Sequence, residues 1–193
     1  LVEKGIATAP NFIEEDQRLM GLYSEGKLNM QDYLTFSMQP LADMPTEQVT
    51  ALVEECVEQH ILPKQFKQSK ALIEQLARDN IDMLIISASV TFLVEAVGRK
   101  IGIENALGID LVENQGRFTS QISGVPSYRE GKVTRLKEWL DNQETNYSDI
   151  HFYTDSINDL PLCEHADFAY LVNPCPRLKA LADQPNWSIL NWD

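Results

Sequence analysis

Ile150-His151-Phe152-Tyr153-Thr154-Asp155-Ser156-Ile157-Asn158-Asp159-Leu160-Pro161-Leu162 decides how the chain is read. Residues 150–154 form a short apolar run that reads as a strand, and a helix over 157–164 follows directly. Asp155 then projects from the strand's carboxyl end, and Asp159 from the first helical turn. Two carboxylates and an amide meeting there suit a hard cation such as Mg²⁺, which takes oxygen ligands and keeps several waters. The plainer alternative is that Asp155 or Ser156 caps the helix and Asp159 favours its dipole.

The same alternation runs outward on both sides. Met83-Leu84-Ile85-Ile86 reads as a buried parallel strand, and 91–100 as a helix that Ser89 can cap. A strand over 106–112 and half of a hairpin over 117–122 follow, then a helix over 131–140. Beyond the central stretch come a strand at 168–172, a helix at 176–182 and a short strand at 187–190. Such alternation predicts an α/β fold with a doubly wound, mostly parallel sheet, whose ligands sit beyond the carboxyl ends of the strands.

Residues before 80 are patterned differently. Val49, Leu52, Val53, Cys56, Val57 and Ile61 recur on one face of a helix over 46–61, with Thr46 placed to cap it after Pro45. A second helix spans 66–77. Residues 11–38 read as two shorter helices broken around Glu25-Gly26-Lys27. The expected organisation is a mainly helical cap over 1–80 and an α/β core over 81–193.

Two further positions belong beside the acidic pair. Ser87 ends the strand Ile85-Ile86-Ser87-Ala88-Ser89, where its hydroxyl and the following backbone N–H groups can hold phosphate oxygens. Lys132 opens a helix, where the dipole disfavours a cation unless a fixed anion lies nearby. Taken singly, Lys132 reads as a solvated side chain and Ser89 as a cap. Taken together, a hydroxyl, a lysine and a carboxylate cluster at strand ends form a phosphate-plus-metal constellation, suited to phosphoryl transfer.

Composition narrows the partners. The 193 residues carry 16 Lys+Arg against 29 Asp+Glu, a net charge of −13, which argues against nucleic acid and anionic membrane surfaces. Hydrophobic residues make up 44% of the chain, enough for a globular core, and no apolar run is long enough for a membrane span. Cys56, Cys163 and Cys175 show no paired spacing, so a reducing, cytoplasmic setting is expected. His60, His151 and His165 lack ligand spacing. No G-x-G-x-x-G follows a strand, which disfavours a dinucleotide enzyme.

With these residues in hand the chain resembles the haloacid dehalogenase superfamily, in its phosphoserine-phosphatase-like branch with a helical cap. Ser87 matches that family's second motif. Lys132, in Arg129-Glu130-Gly131-Lys132-Val133-Thr134-Arg135-Leu136, matches the third. The stretch from Thr154 to Leu162 matches the fourth, and Val172-Asn173-Pro174 and Glu25-Gly26-Lys27-Leu28-Asn29 also have counterparts. The resemblance implies that Ser87, Ala88 and Asn158 bind phosphate and that Lys132 neutralises it. Asp155 and Asp159 hold Mg²⁺, and Lys132 and Asp159 are counted as catalytic.

It also implies a phosphomonoesterase that works on a small phosphorylated metabolite through an aspartyl-phosphate. The family's nucleophile lies in a D-x-D-x-T motif ending a central strand flanked by the strands of Ser87 and Asp155. That motif is absent here and is expected upstream of Leu1; the alternative is a non-catalytic phosphate- or partner-binding scaffold. The family's cap arginine, which holds a substrate carboxylate, falls on or near Ser37, and Ala88-Ser89 replaces a usual glycine pair. Phosphoserine, histidinol phosphate and other small phosphomonoesters therefore stay open. Tyr23, Tyr33, Phe36 and Met38 are expected as core rather than pocket.

Overall fold

Seven strands carry the apolar runs: β1 (Leu84–Val90), β2 (Asn105–Ile109), β3 (Leu111–Asn114), β4 (Arg117–Ile122), β5 (His151–Thr154), β6 (Phe168–Val172) and β7 (Trp187–Leu190). The structure is a computed structural model and describes residues 1–193. Helices α1 (Phe12–Ser24), α2 (Met30–Met38), α3 (Thr46–Cys56) and α4 (Lys67–Arg78) precede β1. In the second part, α5 (Thr91–Ile101) follows β1, α6 (Glu130–Asp141) leads to β5, α7 (Leu160–His165) leads to β6, and α8 (Pro176–Lys179) leads to β7.

Parallel pairing joins β1 to β2, with Ile85 opposite Ala106, and β5 to β6 to β7, with Tyr153 opposite Tyr170 and Tyr170 opposite Ser188. Helical crossovers between parallel strands give the expected doubly wound α/β architecture, with a helical cap. The sheet is nevertheless divided. β1 pairs only with β2, and β5 only with β6, so each keeps one edge without a strand partner. The hydrophobic core is divided in the same way. Cys163, Ala169, Leu171 and Leu178 form one cluster around β6, apart from the clusters beneath the cap. The accessible surface is 11491 Å², whereas a folded monomer of this mass exposes about 9,300 Å². The excess fits strands whose side chains stay half-buried along an open edge.

Several local differences have simple causes. The run 106–112 is broken at Asp110, whose carboxylate accepts bonds from Thr91 Oγ1 at 2.5 Å and Arg135 at 2.7 Å. The chain then turns into the β3–β4 hairpin through Gln115 and Gly116, both at positive φ (51° and 70°), as a tight two-residue turn requires. Thr46 starts α3 without capping it; its N–H donates to Gly116 O at 2.9 Å instead. The helical run to 61 continues past α3 as a π-helical turn. Ser89 remains in β1, and Val90 precedes α5. Ile157–Asp159 form a 3₁₀ turn ahead of α7, and α8 stops at Lys179.

The cap seats on the core through Ile109 of β2, fully buried among Leu19, Leu28, Met30 and Leu34. The hairpin joins that contact although it belongs to the second part of the sequence. Gln31 Nε2 donates to Ser120 O at 2.7 Å, and the Phe92 and Phe118 rings lie 4.5 Å apart.

Gly108 allows β2 to pass close to the start of α5, since a Cβ there would lie 2.6 Å from Thr91 N and Cα. Gly108→Ala is expected to lower stability by roughly 1–3 kcal/mol through overpacking against backbone. Thermal denaturation checks this, and an unchanged midpoint would mean that the close approach relaxes without strain.

Candidate active site

The carboxyl ends of β1 and β5 open into one cavity of about 400 Å³. β1 contributes Ser87, Ala88 and Ser89 to its wall, and β5 with the following turn contributes Thr154, Asp155, Ser156 and Asp159. Lys132 enters from the first turn of α6. The roof comes from the cap: Met20, Tyr23, Leu28, Met30 and Tyr33. Of the four cap side chains expected as core, Tyr23 and Tyr33 therefore face the cavity, whereas Met38 is buried beneath the cap and Phe36 packs on the cap cluster.

Lys132 and Asp159 form the cavity's charged floor. Their atoms Nζ and Oδ1 lie 2.6 Å apart, and both residues are about 95% buried, with 5% and 6% exposure. Asp159 Oδ1 has no aligned hydrogen bond despite this contact. Thr154 Oγ1 donates to the other carboxylate oxygen, Oδ2, at 2.7 Å. A cation at a helix start is thus matched by a fixed anion on a different element.

Lys132 is held in place by its loop. Arg129, just before α6, adopts φ 52°, a left-handed value rarely taken by a long side chain. A Cβ on Gly131 would lie 2.0 Å from Pro126 O, so only glycine allows this close approach of α6 to the loop. Ser127, with no exposure, donates its hydroxyl to Ser87 O. Arg135 reaches Asp110 at 2.7 Å and Val125 O at 3.2 Å. These bonds tie the loop before α6 to β1 and β2.

At the end of β1, Ser89 N–H donates to Ser87 Oγ at 3.2 Å, which leaves the Ser87 O–H free to donate into the cavity. Ala88 lines the wall beside it. On the other side, Asp155 is exposed and lines the same wall, and its backbone oxygen accepts from Cys175 N–H at 2.9 Å. Ser156 Oγ accepts the Asn158 N–H at 3.2 Å, closing the turn that presents Asp159.

Asn158 stands apart from the residues with which it was grouped. It is buried and does not line the cavity. Its Nδ2 donates to Tyr23 O at 2.8 Å, and its Oδ1 accepts from Tyr128 OH at 3.4 Å. The amide therefore clasps the end of α1 and holds the cap. Arg129 and Arg177 do the same for neighbouring carbonyls, at Gly26 O (3.1 Å) and Ser24 O (3.3 Å). Three side chains from outside the cap thus donate to carbonyls at and just after the end of α1.

Burial, and next the Asp159 carboxylate, raise the Tyr23 phenol above its ordinary value. Burial, with Asp159 again second, pushes the Cys163 thiol up to about 12. That thiol lies behind the acidic turn and is not a nucleophile at neutral pH.

The donor set fits a hard cation. Asp155 and Asp159 offer oxygen ligands, one of them the buried Oδ1 that lacks a hydrogen bond. No group of three or more His, Cys, Asp or Glu side chains is gathered in the structure. One or two carboxylates with waters and phosphate oxygens are the ordinary environment of Mg²⁺.

Some of this machinery left little trace in the sequence. Ser127 and Tyr128 act through hydroxyls that reach Ser87 O and Asn158 Oδ1, 40 and 30 residues away in sequence. Thr154 carries a signal in hindsight, as the polar residue that ends an apolar strand beside an acid. Arg135 follows Lys132 by three residues, one helical turn on.

Asn158→Ala is expected to remove one bond from Tyr23 O and loosen the end of α1, at roughly 1–3 kcal/mol. Hydrogen exchange at residues 21–27 should quicken first. Unchanged protection there would mean that the clasp does not hold the cap.

Residues 1–164 match the family profile of the haloacid dehalogenase-like hydrolases. A Neisseria meningitidis protein named histidinol-phosphatase is 32% identical over 198 residues, covering 100% of this chain and 88% of the relative. A Mycobacterium tuberculosis protein named phosphoserine phosphatase SerB1 is 26% identical, covering 85% of this chain and 54% of the relative, so the chain spans about half of that protein. Among solved structures, a Bordetella pertussis protein of unknown function superposes with a TM-score of 0.83 at 27% identity, covering 95% of this chain and 85% of the other. A phosphoserine phosphatase captured as a phospho-aspartyl intermediate analogue shares the fold, with a TM-score of 0.68 at 22% identity, over 93% of this chain and 81% of the other.

Proposed function

The chain belongs to the haloacid dehalogenase-like hydrolase family, in its phosphoserine-phosphatase-like branch, and is a phosphatase; from that premise we propose a Mg²⁺-dependent phosphomonoesterase that acts on a small phosphorylated metabolite through an aspartyl-phosphate. The observation that carries this reading is the buried Lys132–Asp159 pair on the floor of a cavity bounded by Ser87 and Asp155.

Each residue then has a task. The Ser87 hydroxyl donates to a phosphoryl oxygen. The Lys132 ammonium neutralises the phosphoryl group where its charge is densest, in a site that excludes most water. Thr154 fixes the Asp159 carboxylate, so Lys132 needs no rearrangement during the reaction. Asp155 and Asp159 hold Mg²⁺, which when bound neutralises phosphoryl oxygens and orients the ester.

The nucleophile is a carboxylate that this arrangement lacks. Asp155 and Asp159 are both assigned to the cation, and Asp159 is also held by Lys132 and Thr154. We place the nucleophile on a further strand that enters beside β1 and β5, where each has an edge without a strand partner and both ends border the cavity. It attacks phosphorus and expels the alcohol, and water then cleaves the acyl phosphate to return carboxylate and inorganic phosphate. A second aspartate two residues on serves as general acid and base. The three unpaired cysteines favour a cytoplasmic setting. No helix is long and apolar enough to cross a membrane.

Asp155→Asn tests the cation assignment cleanly, because the side chain is exposed and its loss should not unfold the protein. Hydrolysis of p-nitrophenyl phosphate with Mg²⁺ should fall by roughly a hundredfold or more, the scale of losing one charge-stabilising group. Full activity would refute the assignment. Lys132→Ala should lose about 3–4 kcal/mol of transition-state stabilisation. It should also lose roughly 3–5 kcal/mol of stability, since it strands a buried carboxylate. Unchanged turnover would remove Lys132 from the phosphoryl site.

A further inference from the structure

One residue of the loop before α6 adopts a backbone conformation that its own side chain opposes. Arg129 has φ 52° and ψ −125°, a combination that a Cβ disfavours and that glycine takes freely. Strain of this kind persists only where surrounding contacts over-determine it, and it gathers at functional sites. Arg129 is exposed and does not line the cavity, so neither burial nor substrate holds it. Its contacts lie on both sides instead. Nη1 donates to Gly26 O in the cap at 3.1 Å, 103 residues away, and Nη2 lies 3.8 Å from Glu130 Oε1. Its own carbonyl accepts the Lys132 N–H at 3.0 Å. The strained residue thus grips the cap with its side chain and the first turn of α6 with its backbone. The preceding residue, Tyr128, stacks on Tyr23 with ring centroids 5.8 Å apart, so the loop meets the cap at two successive positions.

Resting on the phosphatase reading, we propose that Arg129 is a positioning residue that locks the first turn of α6, and with it Lys132, to the seated cap. The backbone strain is retained because only a side chain makes that link. Of the three side chains that clasp the end of α1, Asn158 follows β5 and Arg177 stands on α8, whereas Arg129 alone belongs to the segment that carries Lys132. With the cap seated, the Gly26 carbonyl fixes the guanidinium and the Arg129 peptide is fixed with it. Lys132 then meets the phosphoryl group in one orientation, backed by Asp159. Without the bond, the cap and the start of α6 move independently. Lys132 keeps its counter-charge but loses its alignment, and a misplacement on the order of 1 Å costs up to about a hundredfold in rate. Glycine at this position removes the strain and the link together, so stability and turnover respond in opposite directions.

Arg129→Gly, Arg129→Ala and Arg129→Lys in the full-length protein separate strain from grip. Glycine is ordinarily less stabilising than alanine, because its unfolded chain is freer. At φ 52° that order should invert, with Arg129→Gly melting above Arg129→Ala. Turnover should not follow melting temperature. In both variants kcat for p-nitrophenyl phosphate with Mg²⁺ should fall about tenfold or more, while KM changes little, because Arg129 touches no part of the cavity. Arg129→Lys keeps a donor on a long stem and should recover part of the loss. The amides of Gly26 and Lys27, bonded to Tyr23 O and Leu22 O, should exchange faster in the Gly and Ala variants than in the parent. A role in the fold alone would make turnover track stability. Parental kcat in Arg129→Gly, or a melting temperature below that of Arg129→Ala, would overturn the proposal. If the unaltered protein does not hydrolyse p-nitrophenyl phosphate, the phosphatase reading fails. Exchange at Gly26 and Lys27 still decides the link: faster rates support it, and unchanged rates overturn it.

Discussion

The ion pair between Lys132 and Asp159 connects two halves of the core that no backbone ladder connects. Lys132 stands on α6, whose preceding loop is tied to β1 by Ser127, and Asp159 follows β5. Burying two charges costs several kcal/mol each. Here the loss is offset by a 2.6 Å contact and by the hydrogen bond from Thr154. The pair is a strong constraint on geometry even where its net effect on stability is small. If either charge shifts, the other is stranded in a site that is about 95% buried. This also explains how an ammonium tolerates the first turn of a helix, where the dipole opposes it.

The cap is positioned by the same elements. Asn158 adjoins Asp159, Arg129 immediately precedes α6, and Arg177 lies on α8; all three donate to carbonyls at the end of α1. Gly26 permits this turn with φ 69°. A Cβ in its place would lie 3.4 Å from Asn158 Oδ1, a snug contact. Placement of Tyr23 over the cavity is therefore coupled to the residues that fix the floor.

The parts legible in the sequence were those with a local signature. Strand runs such as Phe168–Val172 and the alternation with helices gave the architecture, because buried parallel strands require near-continuous apolar residues. Lys132, Asp155 and Asp159 were legible as positions, because each follows a strand or opens a helix, whereas Ser87 lies inside β1, three residues before its end. Asn158 adjoins Asp159 in sequence, yet its amide reaches Tyr23 O, because neighbouring side chains of the 3₁₀ turn point in different directions. The break at Asp110 was invisible as well, since it depends on Thr91 and Arg135, which are 19 and 25 residues away.

A division of labour within α1 makes the cavity adaptable. Leu19 faces the core at 4% exposure, while Met20 and Tyr23, three apart and hence neighbours on one helical face, look into the cavity. Met20 lies outside the cluster that seats the cap on Ile109, whereas the roof residues Leu28 and Met30 belong to it. The floor has no such freedom. Asp159 is bonded to Thr154 and paired with Lys132, Ser87 is bonded through its carbonyl, and Gly131 cannot take a side chain. The constrained half of the cavity is thus its ionic floor, while the cap supplies a mainly apolar roof.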